Sequence, residues 1–333
     1  MLLDGETLAP VAAVRQLLAD VEGVELPGRL KTELHASVVE LNTDICESVE
    51  AAVDALALLR ATAAEALERR GLRLAAAGSH PFAEPEDLEV VDEKRYREFV
   101  GYAGVTARRQ GVNGIHVHVG MPGSDECIAT LETLLPWMPL VLALSANSPY
   151  LAGRVTGLAS NRAEILAQLP RSGAPPIFDS YAGWENWIGR FIATGVASDY
   201  TQFWWDVRPH PRFGTLEIRM PDQPTSLGVS AALIRLLRGL AEWALEHPVE
   251  EPADRGVYQQ NRWAAGRFGP GAHLIHDGRA VSVPDLVGEL PVEPPDLDPA
   301  TCEGALQLAA GDARSACADI VRRTWPSEKR RSK

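Results

Sequence analysis

The chain has 333 residues, with 32 Lys and Arg against 45 Asp and Glu, and a formal net charge of −13. Its hydrophobic content of 46% excludes a disordered chain. The acidic balance argues against a nucleic-acid or membrane partner, since phosphate-rich surfaces attract positive charge. The four cysteines are widely spaced and form no CxxC pair. This excludes a cysteine-rich zinc module and predicts a cytoplasmic protein.

Hydrophobic spacing and turn residues predict alternating helices and strands in the first half of the chain. In order, these are a helix at Val11–Val21, an extended run at Leu30–Asn42, a helix at Glu47–Arg70, a strand at Leu72–Ala77, a helix at Lys94–Arg109 and a strand at Ile115–Gly120.

The second half is predicted to contain longer helices and two more strands. In order, these are a proline-interrupted helix at Asp125–Leu144, a helix at Asp179–Thr194, strands at Phe203–Val207 and Thr215–Met220, a helix at Ser226–Glu246, a Pro-rich acidic linker at Val283–Pro299 and a helix at Gly304–Arg322.

The order of these elements predicts the fold class. The chain has no internal repeat, and no glycine-rich phosphate loop follows a predicted strand. Strands and helices mix without a βαβ rhythm, which favours an α+β fold with an antiparallel sheet and helices packed on one face. Residues 1–325 are predicted to form a single domain and residues 326–333 a basic tail. A homodimer is the default expectation for assembly.

Two predicted strands carry polar side chains that point to chemistry. In Gly114–Gly120, His116 and His118 share one face because strand side chains alternate. Two adjacent imidazoles can bind a metal ion or an anion, although buried structural histidines give the same pattern. In the other strand, Glu217 and Arg219 share a face, either in a site or in a structural salt bridge.

Three further segments contribute candidate residues. Asp206 and Arg208 share a face near the end of a predicted strand. Glu33 and Glu40 lie in the extended run and suit Mg²⁺, which prefers oxygen ligands. Seven residues separate these two carboxylates, so one strand aims both into a single site only if it contains a bulge. Small polar residues after a helix, around 145–150 and 157–162, could contact a substrate or form plain turns.

Seven segments, in this order, resemble the type 2 glutamate–cysteine ligases, also called carboxylate–amine ligases. They are GSHPF, GIHVHVGMPG, LALSANSPY, TGLASNR, WWDVRP, GTLEIRMPDQPTS and NRWAAGRFG. The resemblance extends from Asp4 to Arg322, nearly the whole chain.

The resemblance implies a curved antiparallel sheet flanked by helices, similar to the catalytic fold of glutamine synthetase, with the active site on the concave face. It implies that ATP activates the γ-carboxylate of glutamate as an acyl phosphate and that an amine then displaces phosphate. Cysteine is the default amine and gives γ-glutamylcysteine. ATP and Mg²⁺ are the implied cofactors, and the other implied partners are small molecules.

The resemblance also implies roles for individual residues. The implied metal ligands are Glu33, Glu40, His116, His118 and Glu217. The implied catalytic arginines, which would contact phosphate or a substrate carboxylate, are Arg162, Arg208 and Arg219. The implied substrate loop contains Asn147 and Ser148.

The sequence departs from the family pattern at its start. Members of the family begin with a glutamate-rich strand before the equivalent of Leu2–Asp4, and this sequence begins after that point. The intact downstream motifs favour a start codon placed too late over a fragment or a protein that has lost part of the site. For the function, the alternatives are a catalytically inactive ligand-binding relative and a metal-dependent hydrolase that uses the His-Val-His motif.

Overall fold

The computed structural model describes residues 1–325, so the predicted basic tail at 326–333 lies outside the described residues. The strands are β1 (Leu2–Asp4), β2 (Gly28–Thr32), β3 (Val39–Thr43), β4 (Leu72–Leu74), β5 (Val117–Gly120), β6 (Tyr150–Leu151), β7 (Arg154–Val155), β8 (Val207–His210), β9 (Thr215–Ile218), β10 (His273–His276) and β11 (Arg279–Ser282).

The helices account for most of the regular structure. They are α1 (Val14–Asp20), α2 (Val49–Glu68), α3 (Lys94–Ala103), α4 (Val105–Arg108), α5 (Ser124–Leu134), α6 (Met138–Ser145), α7 (Asn161–Leu166), α8 (Tyr181–Ala193), α9 (Leu227–Glu246), α10 (Arg255–Phe268), α11 (Val283–Gly288), α12 (Glu303–Ala309) and α13 (Ala313–Thr324). Short 3₁₀ turns lie at Pro85–Asp87, Leu135–Trp137, Tyr200–Gln202 and Gly269–Gly271.

Among residues 1–325, every pairing between these strands is antiparallel. The sheet that matters most for the site has three strands in the order β5-β9-β8, and the described residues also form four two-stranded sheets. The predicted α+β class with antiparallel sheets and flanking helices is therefore confirmed.

One face of the three-stranded sheet lies against the main hydrophobic core. Leu216 and Ile218 of β9 are fully buried there with apolar residues of α5, α6, α9 and α10. Burying each of these side chains contributes about 1.5–3 kcal/mol. Because strand side chains alternate, this packing directs Glu217 to the opposite face.

The most apolar segment is part of this core. By length and composition, Ser124–Ser145 is the one helical segment in residues 1–325 that could cross a membrane, with a mean hydropathy of 1.7. Inside the fold, 89% of that window is buried, as expected for the core helix of a folded domain.

The prediction of one extended run at Leu30–Asn42 is wrong. The segment forms the β2–β3 hairpin, in which Lys31 lies opposite Glu40. The chain reverses direction between the strands, so Glu33 and Glu40 approach each other without a bulge.

Two predicted helices are divided at glycines. The predicted helix at Lys94–Arg109 is split into α3 and α4 at Gly104, which has a φ of 58°. The predicted helix at Gly304–Arg322 is split into α12 and α13 near Gly311, with a φ of 94°. A positive φ cannot continue an α-helix, and glycine adopts it without a steric penalty.

Two further predictions need correction. The predicted linker at Val283–Pro299 begins with helix α11, whose Val283 and Leu286 are buried in the main core. The strand predicted at Phe203–Val207 begins only at Val207. Asp206 therefore lies outside the strand and does not follow the alternation assumed for it.

Candidate active site

The polar face of the three-stranded sheet brings four predicted residues together. Glu217 lies on the central strand, directly opposite His118 of β5 and Arg208 of β8. Arg219 lies two residues beyond Glu217 and contacts the same carboxylate. The sheet register therefore builds the cluster around Glu217.

The Glu217 carboxylate binds two guanidinium groups. Arg208 Nε donates to Oε2 at 2.5 Å, and Arg219 Nη1 donates to Oε1 at 2.5 Å. Glu217 is only 3% exposed. A buried carboxylate remains charged only when such partners offset its loss of hydration.

The charge state of Glu217 follows from this arrangement. Burial alone would raise the pKa of the carboxyl, but Arg219 and Arg208 outweigh it, and the pKa lies far below its usual range. The carboxylate is therefore ionised at neutral pH and holds both guanidiniums on the same side of the sheet.

Two histidines border the cluster. His116 Nδ1 lies 3.6 Å from Glu217 Oε1, and His118 Nε2 lies 3.9 Å from the same atom. Burial and the nearby Arg219 charge place the pKa of His116 well below its usual value. Burial lowers the pKa of His118 to about 4. Both imidazoles are therefore neutral at pH 7 and can accept a proton or a hydrogen bond.

Arg219 has hydrogen-bonding capacity that the protein does not use. Its Nε is buried and has no hydrogen-bond partner. An unpaired buried donor costs free energy, which a bound acceptor would recover. Arg208 has protein partners on two of its three nitrogens: Nε donates to Glu217, and Nη1 donates to the carbonyls of Thr201 and Phe203.

The β2–β3 hairpin brings its two glutamates toward this cluster. Burial raises the pKa of Glu33, and the negative charge of Glu40 raises it further, while the Leu34 amide and the charges of Arg95 and Arg219 act in the opposite direction. Glu33 and Glu40 therefore lie close enough to interact as an acidic pair.

The five predicted metal ligands do not form one metal site. In the part of the chain that the structure describes, no group of three or more His, Cys, Asp and Glu side chains is arranged to hold a metal ion. Both oxygens of the Glu217 carboxylate bind arginines, and His118 Nδ1 lies 2.9 Å from Thr215 Oγ1. Glu33 accepts from the Leu34 amide at 2.7 Å and Glu40 accepts from the Asn42 side chain at 3.0 Å, and carboxylate oxygens of this kind suit a hard cation.

Arg162 binds the protein backbone. It is buried, and its guanidinium donates to the carbonyls of Met220 at 3.0 Å and Arg219 at 2.9 Å. The structure therefore does not place Arg162 in the direct contact with phosphate or substrate carboxylate that the resemblance implies.

The predicted substrate-loop residues are also buried. The Asn147 side-chain amide donates to Gln223 O at 2.9 Å and accepts from Gln307 at 2.7 Å. The Ser148 hydroxyl donates to Asp222 at 2.6 Å. Protein partners take up these polar atoms, so a contact with substrate stays a prediction for both residues.

Two buried aspartates lie beside the site: the sequence pattern placed Asp206 on a strand face with Arg208, and it gave Asp222 no role. Asp222 is fully buried and accepts hydrogen bonds from the 147–148 segment and from Ser160. Asp206 accepts from Tyr258 and Arg262 of α10, both at 2.8 Å. A buried aspartate in an apolar sequence context is the signal that could have identified them, because an isolated charge is not tolerated there.

Comparison with known proteins identifies the family of this chain. The model of glutamate–cysteine ligase family 2 matches residues 4–322. The chain belongs to glutamate–cysteine ligase family 2. The resemblance stated from the motifs is thereby confirmed, and with it the prediction of an ATP-dependent carboxylate–amine ligase, an enzyme that forms a C–N bond.

Relatives in this family are similar over most of their length. A Rubrobacter xylanophilus protein named "Putative glutamate–cysteine ligase 2-3" is 42% identical over 274 residues, covering 82% of this chain and 74% of its own. A Herpetosiphon aurantiacus protein with the same type of name is 34% identical over 295 residues, covering 87% of this chain and 76% of its own.

A solved structure shares the fold. It is a bifunctional glutathione synthetase from Pasteurella multocida, with a TM-score of 0.61 and 16% identity. The match covers 90% of this chain but only 45% of that longer enzyme. At this identity the likeness supports the fold of the family and carries no assignment of substrates.

Proposed function

We propose that this protein activates the γ-carboxylate of glutamate with ATP and joins it to an amine, with cysteine as the default amine and γ-glutamylcysteine as the product. A carboxylate oxygen attacks the γ-phosphorus of ATP and releases ADP. The amine nitrogen then attacks the carbonyl carbon of the acyl phosphate, and phosphate leaves with one of the carboxylate oxygens. The neutral amine gives up one N–H proton in this step, and the departing phosphate carries it as hydrogen phosphate.

One observation carries the proposal. Arg219 has a buried, unpartnered Nε beside the Glu217 cluster, on the face of the sheet opposite the core. A bound phosphate or carboxylate oxygen would supply the missing acceptor. Arginine suits this role because its planar fork matches an oxyanion and stays charged.

Glu217 and Arg208 have supporting roles in this scheme. Glu217 keeps Arg219 and Arg208 close together, which two unpaired cations would resist. The two guanidiniums then stabilise negative charge that develops on the transferred phosphoryl group. Because the groups are already positioned, little reorganisation accompanies the reaction.

The neutral imidazoles fit the second half-reaction. An amine must lose its extra proton before it can attack a carbonyl carbon. His116 and His118 are both neutral at pH 7 and lie beside the carboxylate that would stabilise their protonated forms. Either imidazole can therefore receive a hydrogen bond from the attacking nitrogen.

The proposed Mg²⁺ site consists of the two glutamates of the β2–β3 hairpin. Glu33 and Glu40 form an acidic pair whose mutual repulsion a divalent cation would relieve. When bound, Mg²⁺ would offset the charge of the nucleotide phosphates. A cytoplasmic location and a homodimer remain part of the same proposal.

The proposal is tested by ADP release from ATP with glutamate and a panel of amines that includes cysteine. The expected result is release that requires glutamate and is increased by cysteine, with the dipeptide detected by mass spectrometry. ATP binding without release of ADP would favour an inactive ligand-binding protein. Hydrolysis that proceeds without ATP would favour the metal-dependent hydrolase.

A further inference from the structure

Asp222 lies at the centre of a fully buried hydrogen-bond network. Its Oδ2 accepts from the backbone N–H of Asn147 at 2.9 Å and from the Ser148 hydroxyl at 2.6 Å. Its Oδ1 accepts from the Ser160 hydroxyl at 2.8 Å and lies 3.7 Å from Arg162 Nη1. Three neutral donors and one cation therefore fix both oxygens of this carboxylate.

Arg162 connects this network to the site. Its two terminal nitrogens donate to the carbonyls of Arg219 and Met220, immediately after β9. Asp206 O accepts from the Arg219 amide at 2.8 Å on the other side of the same residue. The backbone of Arg219 is thus held at both its N–H and its C=O group.

Two glycines lie directly against this pair of side chains. A Cβ on Gly114 would lie 2.6 Å from Arg162 Cζ, and a Cβ on Gly78 would lie 2.7 Å from Asp222 Oδ2. These two glycines therefore admit the guanidinium and the carboxylate at a distance that no larger residue allows. Gly114 is also two residues from His116, which lies 3.4 Å from Arg219 Nη1.

We propose that Asp222 and Arg162 form a positioning pair that holds the backbone of Arg219 and thereby aims its guanidinium at the bound anion. Arg162 is then a positioning residue that acts through Arg219 and makes no contact with substrate. The inference rests on the proposed function for the identity of the anion, but its geometry does not depend on which amine is used.

The test compares the intact chain carrying Arg162→Lys, Arg219→Gln or both, with Arg255→Gln as the matched control. Lysine keeps the positive charge opposite Asp222 but lacks the fork that reaches two carbonyls. Arg255 forms a partly buried pair with Glu132 at 2.5 Å, away from the site. Tripolyphosphate affinity is measured by calorimetry, and glutamate and ATP kinetics by ADP release.

The expected result is that Arg162→Lys and Arg219→Gln each weaken tripolyphosphate binding by about tenfold. The double variant should bind no more weakly than Arg219→Gln alone, because Arg162 acts only through Arg219. Of the KM values for glutamate and ATP, both single variants should raise the same one. The Arg255→Gln control should bind tripolyphosphate as tightly as the unsubstituted chain does.

Three outcomes would overturn the pair. They are unchanged binding in Arg162→Lys, losses that multiply in the double variant, and no tripolyphosphate binding by the unsubstituted chain. If Arg162→Lys fails to fold, Asp222→Asn replaces it, since Asn keeps the shape but removes the charge that faces Arg162. Tight binding without glutamate-dependent ADP release would contradict the proposed function and leave the positioning pair standing.

Discussion

Arg208 and Glu217 lie directly opposite each other in the β8–β9 pairing, and Arg208 Nε is 2.5 Å from Glu217 Oε2. The same carboxylate binds Arg219 through its other oxygen. One carboxylate therefore sets the positions of two guanidiniums, and its removal should affect both folding and chemistry.

Glu217→Gln should reduce kcat/KM by at least about 100-fold. It should also lower the free energy of unfolding by about 3–5 kcal/mol, because two buried cations lose their charged partner. Denaturant unfolding and ADP release measure the two effects.

The matched control for that variant is Glu132→Gln, which breaks the Arg255 pair elsewhere in the fold. Its stability should fall while kcat/KM stays within about twofold of the original, since the Arg255 pair touches no part of the site. Equal losses of activity in both variants would mean that Glu217 acts only through stability.

Gly114→Ala should lower both stability and activity, because the added methyl group displaces the Arg162 guanidinium. Overpacking of this kind costs about 1–3 kcal/mol. Gly101→Ala is the control: it lies within helix α3 with no atom near the added Cβ, and should stabilise by up to about 1 kcal/mol. Thermal melting of both variants checks this, and a Gly114→Ala protein as stable and active as the original would contradict it.

His80 predicts a pH dependence of stability. Its Nδ1 accepts the amides of Phe82 at 3.3 Å and Ala83 at 3.0 Å, and its Nε2 lies 3.0 Å from Leu8 O. A proton on Nδ1 would face two donors, and burial lowers the pKa of His80 to about 4.

The unfolded chain therefore binds a proton below its ordinary pKa of about 6.5, while the native state binds it only near pH 4. The stabilisation that neutral His80 contributes is complete at pH values above its pKa in the unfolded chain, about 6.5. It falls as the pH decreases from there toward about 4, by up to about 1.4 kcal/mol per pH unit. His80→Asn, which keeps an acceptor but does not titrate, should flatten the slope. The same change at exposed His273 should leave the slope unaltered.

Glu33→Gln and Glu40→Gln test the magnesium part of the proposal. Each should increase the Mg²⁺ concentration needed for half-maximal ADP release by about tenfold, since half of the acidic pair is lost. Exposed Glu25→Gln is the control and should not change the requirement. If both hairpin variants need the same Mg²⁺ concentration as the original chain, Glu33 and Glu40 do not bind the metal.

Alternation along β5 and β9 was sufficient to predict which residues of the sheet face the site. Leu216 and Ile218 are apolar and turn toward the core, so Glu217 and His118 had to lie on the other face. Hydrophobic spacing also predicted the bounds of α2, α8 and α9 to within two residues, and in the structure each of these helices begins after a serine cap.

Other features depend on contacts that a local pattern does not contain. The turn of the β2–β3 hairpin has no Asn-Gly or Asp-Gly signal, so the run from Leu30 to Asn42 resembles one strand. Arg162 has a long side chain, and its carbonyl partners lie about 60 residues away in the chain. Its motif shows that it is near the site but not which way it points.

If an acyl phosphate forms on glutamate, one γ-carboxylate oxygen must leave with the phosphate. Glutamate with ¹⁸O in its γ-carboxylate is incubated with ATP, cysteine and the protein, and the mass of the released phosphate is measured. We expect one ¹⁸O atom in each phosphate for every dipeptide formed. Dipeptide formed with unlabelled phosphate would contradict it.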